Sequence, residues 1–146
     1  MPNIAKGPGF RIDVLTNGEH CPPHVHVDCP GEGWVARFTF SFADDRIALW
    51  DIVPVRKRPT AAVLESVRTI IAANLKRARD AWWGNLPRLG TCLENRWVDL
   101  AGGDIVVLDR RRPGPRVKQV VRAVYDPGTG TVRCTFSDGS DRLVRP

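Results

Sequence analysis

Several large classes of protein are excluded by what the chain has too little of. Nowhere in its 146 residues do eighteen consecutive apolar residues occur, the length a helix needs to cross a bilayer, so no membrane segment is expected. The opening Met1-Pro2-Asn3-Ile4-Ala5-Lys6-Gly7 lacks the apolar stretch of a secretion signal, which makes the cytoplasm the expected location. Four cysteines, at 21, 29, 92 and 134, form no C-x-x-C pair. In a reducing compartment they are expected to be free thiols rather than a disulfide framework. Histidine is scarce as well, and its three copies fall at 20, 24 and 26.

What is present reads as a globular chain of many short elements. Hydrophobic residues make up 42% and charged residues 26%, which is ordinary for a folded domain. Twelve prolines and thirteen glycines favour strands and turns over a helical bundle. The net charge of +6 is uneven: residues 1–59 balance, residues 60–87 carry +2 and residues 88–146 carry +4. Lysine and arginine gain affinity by displacing counterions from phosphates, so the basic half suits nucleic acid, a nucleoprotein complex or an acidic protein. The plainer reading is that the excess arginine keeps the chain soluble.

Phe10 to Leu15 alternates apolar and charged residues, and Thr16-Asn17-Gly18 suits a turn. Pro22-Pro23 gives an extended entry to a second strand, His24 to Asp28. Trp34 to Phe42 places Trp34, Ala36, Phe38, Phe40 and Phe42 on one face, and Arg46 to Val53 follows as a fourth strand. Thr60 then caps a helix whose apolar positions, among them Val67, Ile71, Leu75, Ala78 and Trp82, recur to Trp83, with Gly84 as the stop. Its charged face, Arg68, Lys76, Arg77 and Arg79, is expected to be solvated. Beyond Pro87 the spacing predicts strands at Asp104–Leu108, Val117–Tyr125, Thr131–Phe136 and Arg142–Val144. The expected fold class is α+β: an antiparallel β-meander packed by one long helix over residues 1–87, then a basic, β-rich segment over residues 88–146. About fifty residues of short strands would be marginal alone, so the second part must lean on the first.

Reactive side chains concentrate in Glu19-His20-Cys21-Pro22-Pro23-His24-Val25-His26-Val27-Asp28-Cys29. On a strand His24 and His26 share a side about 6.6 Å apart, while Asp28 lies about 13 Å from His24, too far to share its ion. Folding of His20 over by the Pro-Pro bend would complete a three-nitrogen set, His20, His24 and His26, suited to zinc with an open water position. Without metal, two of these imidazoles can divide base and acid roles in RNA cleavage, with Arg11 or Arg37 steadying the phosphate. Cys21 and Cys29 sit at opposite ends of the segment and do not suit a tetrahedral site. The plain alternative is a rigid strand entry whose imidazoles make local hydrogen bonds. Contacts to nucleic acid or a partner are expected from the stiff basic loop and the strand after it, through Arg110, Arg111, Arg112, Arg116 and Lys118.

Phe10-Arg11-Ile12, the Pro-Pro-His-Val-His-Val core and a helix ending in Trp82 or Trp83 resemble the domain-of-unknown-function family forty-one-sixty over roughly residues 8–87. Val117 to Val144, with Phe136-Ser137-Asp138-Gly139, is similar to family twenty-four forty-two. Members of the two families are commonly encoded side by side in toxin–antitoxin-like pairs. The resemblance therefore implies a place in bacterial or phage–host conflict, with both partners fused in one chain. Two functions are carried forward: a macromolecule-binding protein acting through its basic half, and a histidine-dependent phosphodiesterase or ribonuclease, with or without a metal. A third expectation is that the C-terminal segment inhibits the N-terminal half in cis.

Overall fold

A computed structural model describes residues 2–146. The first half forms one antiparallel sheet of five strands in chain order: β1 (Asn3–Gly7), β2 (Phe10–Asp13), β3 (His24–Cys29), β4 (Trp34–Thr39) and β5 (Ala48–Val53). Period-two alternation sets which side is buried. Val25 lies opposite Phe38, Val27 opposite Ala36 and Cys29 opposite Trp34, and all six are in the core. Phe40 and Phe42 are buried too, although β4 ends at Thr39. Strand β1 was not expected from the sequence, because it sends one side chain, Ile4, deep into the core and so shows no period. Its hairpin with β2 depends on Gly7, where a Cβ would lie 2.1 Å from the Phe10 ring.

The single long helix is corrected to two: α1 (Ala61–Ala73) and α2 (Leu75–Asn85). Thr60 caps α1 as expected, its hydroxyl accepting from the Val63 amide at 3.3 Å. The break comes at Asn74, which leaves helical geometry (φ −123°, ψ 19°) while its side-chain amide donates to the Ile70 carbonyl at 2.8 Å. Asparagine competes in this way with the helical backbone pattern. Gly84 lies inside α2, and the helix stops at Leu86 instead. Arg79 does not sit on a solvated face: it is buried, donating to the carbonyls of Ser41 (2.9 Å) and Asp44 (2.7 Å), and so fixes the loop before β5.

The second half forms another five-stranded antiparallel sheet: β6 (Trp97–Asp99), β7 (Val106–Leu108), β8 (Val117–Asp126), β9 (Thr131–Phe136) and β10 (Asp141–Val144), in the order β10-β9-β8-β6-β7. Strand β6 has three residues, too few for a readable period. This half packs on the first through Tyr125, whose ring meets Phe42 at 5.0 Å and Trp83 at 6.1 Å between centroids. Its hydroxyl donates to Asp80 on α2 at 2.6 Å. Burial and the Asp80 carboxylate together push the Tyr125 phenol well above its ordinary pKa. The class is α+β, and among the described residues no helix is long and apolar enough to cross a membrane.

The expectation of four free thiols is also corrected. Cys21 and Cys92 form a disulfide across 71 residues, with Cα atoms 5.7 Å apart. Folding lays the loop before β3 against the segment after α2, which brings the two cysteines within bridging range. Cys29 and Cys134 are free and buried, and desolvation pushes the Cys134 thiol up to about 11.

Candidate metal centre

Strand β3 and the loop before it build the site. His24 and His26 share one side of β3, facing away from Val25 and Val27, as the alternation requires. Their rings lie 5.1 Å apart between centroids. The loop folds Glu19 back over them. Its Oε2 sits 2.5 Å from His24 Nε2 and 3.3 Å from His26 Nε2. The donor atoms of Glu19, His24 and His26 all lie within 4.8 Å of one another, close enough to ligate one ion.

A backbone hydrogen bond fixes which ring nitrogen of His24 carries a proton. Its Nδ1 lies 2.8 Å from the Pro22 carbonyl, which can only accept, so Nδ1 carries the proton. Burial lowers the pKa of His24, outweighing the carbonyl and Glu19, which act the other way. In the neutral ring the lone pair on Nε2 points at a carboxylate oxygen. Two lone pairs at this separation repel unless a cation or a proton lies between them. A backbone carbonyl that holds one imidazole nitrogen is also the usual means of orienting the other toward a metal.

Aromatic walls enclose His24. The His24 ring meets Trp50 edge-on at 5.1 Å and Trp82 at 5.4 Å. Trp50 occupies the irregular position of β5, where the register with β4 shifts between Arg37 and Phe38. The Arg37 guanidinium lies 4.2 Å above the Trp50 ring and forms a two-pronged ion pair with Asp51. That pair raises the Arg37 pKa and lowers that of Asp51. On the open side a shallow cavity of about 280 Å³ is lined by His26, Val35, Arg37, Asp51 and Val53. His26 is thus the reachable edge of the cluster, and His24 its buried anchor.

The expected residues are distributed as follows. His24 and His26 come together. His20 stays outside the three-donor group: it is exposed, its ring is 5.8 Å from that of His24, and its Nδ1 pairs with the Cys21 carbonyl. Glu19 stands in its place, a loop residue with no period to announce it. Asp28 lies near Arg11 at 3.6 Å, and Arg11 also meets Asp13. The segment is braced from outside by the Cys21–Cys92 bond and by Arg88, which donates to the Glu19 carbonyl at 3.5 Å.

The basic loop is largely engaged within the protein. Arg112 meets Asp99 at 2.6 Å, Arg116 approaches the same carboxylate at 3.9 Å, and Arg111 covers the Trp97 ring at 4.9 Å. Lys118 pairs with Asp138 at 2.7 Å, and this contact and Ser140 hold that carboxyl far below its usual range. Arg110 is exposed. Compared with protein-family models, with curated proteins and with solved structures, the chain matches none.

Proposed function

We propose that Glu19, His24 and His26 hold one divalent transition ion, zinc foremost, and that the centre serves a metal-dependent phosphodiesterase. The observation that carries this reading is the buried apposition of His24 Nε2 and Glu19 Oε2, with His26 Nε2 beside them. Two imidazoles and one carboxylate are a donor set that zinc accepts while keeping a position open, and such an ion polarises a phosphoryl oxygen and acidifies a bound water. Approach is from the cavity beside His26, whose rim carries the Arg37–Asp51 ion pair. Protein purified without chelator should contain close to one zinc per chain. Glu19→Gln should weaken zinc binding by more than the roughly 10–100-fold typical of losing a supporting residue. Zinc affinity in Glu19→Gln and His26→Ala equal to that of the parent would remove the metal site; a loaded protein that leaves RNA and DNA intact would remove the enzyme.

A second reading is a macromolecule-binding protein of the conflict setting that the family resemblance implies, engaging nucleic acid or a nucleoprotein complex through its basic half. It is favoured by the +4 charge of residues 88–146 and by arginines of the second sheet that face solvent.

A further inference from the structure

Nine side chains of β8, β9, β10 and their connections line a concave surface of about 540 Å³: Arg122, Val124, Asp126, Thr129, Thr131, Arg133, Thr135, Leu143 and Arg145. The strand register arranges most of them as a grid. Arg122 lies opposite Thr135, which lies opposite Asp141; Val124 lies opposite Arg133, which lies opposite Leu143. Asp126 lies opposite Thr131 in the next row, and Arg145, two residues beyond Leu143, follows on the β10 side. The three arginines therefore fall on the diagonal of the grid, on β8, on β9 and just past the end of β10. Diagonal neighbours on a sheet stand about 7–8 Å apart. The result is an oblique stripe of three guanidinium groups, with threonine hydroxyls beside it and exposed Val124 and Leu143 as its apolar floor.

We infer that this face binds a single strand of nucleic acid, with consecutive phosphates on Arg122, Arg133 and Arg145. The inference rests on the nucleic-acid reading above and assigns it a surface. The charge is available. Arg122 and Arg145 have no carboxylate within ion-pair distance among the described residues, and Arg133 meets Asp141 at 3.3 Å with both side chains more than half exposed, a pairing that phosphate displaces at little cost. The groove's own carboxylate, Asp126, is committed to the Gly128 amide and the Thr129 hydroxyl, each at 2.9 Å. The step between arginines is of the order of the phosphate spacing in an extended strand. A single strand also offers unstacked base faces to Val124 and Leu143, whereas a duplex presents a hydrated phosphate surface with nothing to bury there.

The test is fluorescence anisotropy with a labelled mixed-sequence DNA 12-mer, single-stranded or annealed to its complement, across 50–200 mM salt. Three phosphate contacts give a log K against log[salt] slope of about −2 for the single strand. Arg122→Gln with Arg145→Gln should bring that slope to about −0.7 and lower affinity at least tenfold. Val124→Glu, an exposed change that puts negative charge on the floor, should also lower affinity at least tenfold, with the melting temperature unchanged. Arg110→Gln with Arg111→Gln should bind as the parent does. If the parent binds the strand and the groove variants bind it equally well, the groove is wrong while nucleic-acid binding stands. If the parent binds neither form, the reading and the groove both fall. Equal affinity for the duplex, or displacement of the strand by polyglutamate at equal charge, would overturn the assigned occupant.

Discussion

Trp82→Ala should lower the stability of the protein by about 3–5 kcal/mol, the range found when a large buried aromatic is truncated. The indole is fully buried and does three jobs. It packs edge-on against Phe40 at 6.1 Å and against His24 at 5.4 Å, and its Nε1 donates to the Gly90 carbonyl at 3.1 Å. One side chain thus joins the first sheet, the histidine site and the segment after α2. Set against a total stability of about 5–15 kcal/mol, the loss should lower the melting temperature by roughly 10–20 °C. Trp82→Phe keeps most of the packing and removes the hydrogen bond, so it should cost about 1–2 kcal/mol. Equal effects of the two substitutions would mean that the hydrogen bond to Gly90, rather than ring volume, holds this junction.

Reduction of Cys21–Cys92 should be nearly as damaging. A cross-link that closes 71 residues removes unfolded-state entropy worth roughly 4 kcal/mol in the chain-entropy model. With a urea m-value of about 2 kcal/mol/M, the midpoint should fall by roughly 2 M when a dithiol is added. Cys21→Ser with Cys92→Ser should reproduce that midpoint without reductant and should not respond to it further. Alkylation in denaturant provides the covalent check: two thiols should react before reduction and four after. Four reactive thiols without reductant would show that the two sulfurs are not bonded in solution.

The sequence was most informative where side chains repeat. The alternation from Trp34 to Phe42 and that around His24 and His26 placed those residues on the correct faces, because successive side chains of a strand point to opposite sides. What it left hidden is non-periodic or non-local. Strand β1 buries deeply only Ile4, and β6 is three residues long. The helix break at Asn74 rests on one side-chain hydrogen bond that the apolar pattern runs straight through. Glu19 reaches the imidazoles because a loop folds back, and Cys21 meets Cys92 because two distant segments pack together. Neither event leaves a mark on neighbouring residues. The arginines show the same limit from the other side. Arg110-Arg111-Arg112 stood out as a run, yet two of the three are occupied by Trp97 and Asp99, whereas Arg122, Arg133 and Arg145 are scattered in sequence and aligned only by strand register.

The bracing of the Glu19 loop fixes an order of events during synthesis. The five strands of the first sheet have all been made by Val53, and His24 and His26 can already stand on their strand. The groups that brace the site come later: Trp82 behind His24, Arg88 on the Glu19 carbonyl and Cys92 on Cys21. On a ribosome that emits the chain from its N-terminus, the two imidazoles are therefore exposed before their carboxylate is fixed in place. The cluster is completed only when a segment from beyond both helices closes over it.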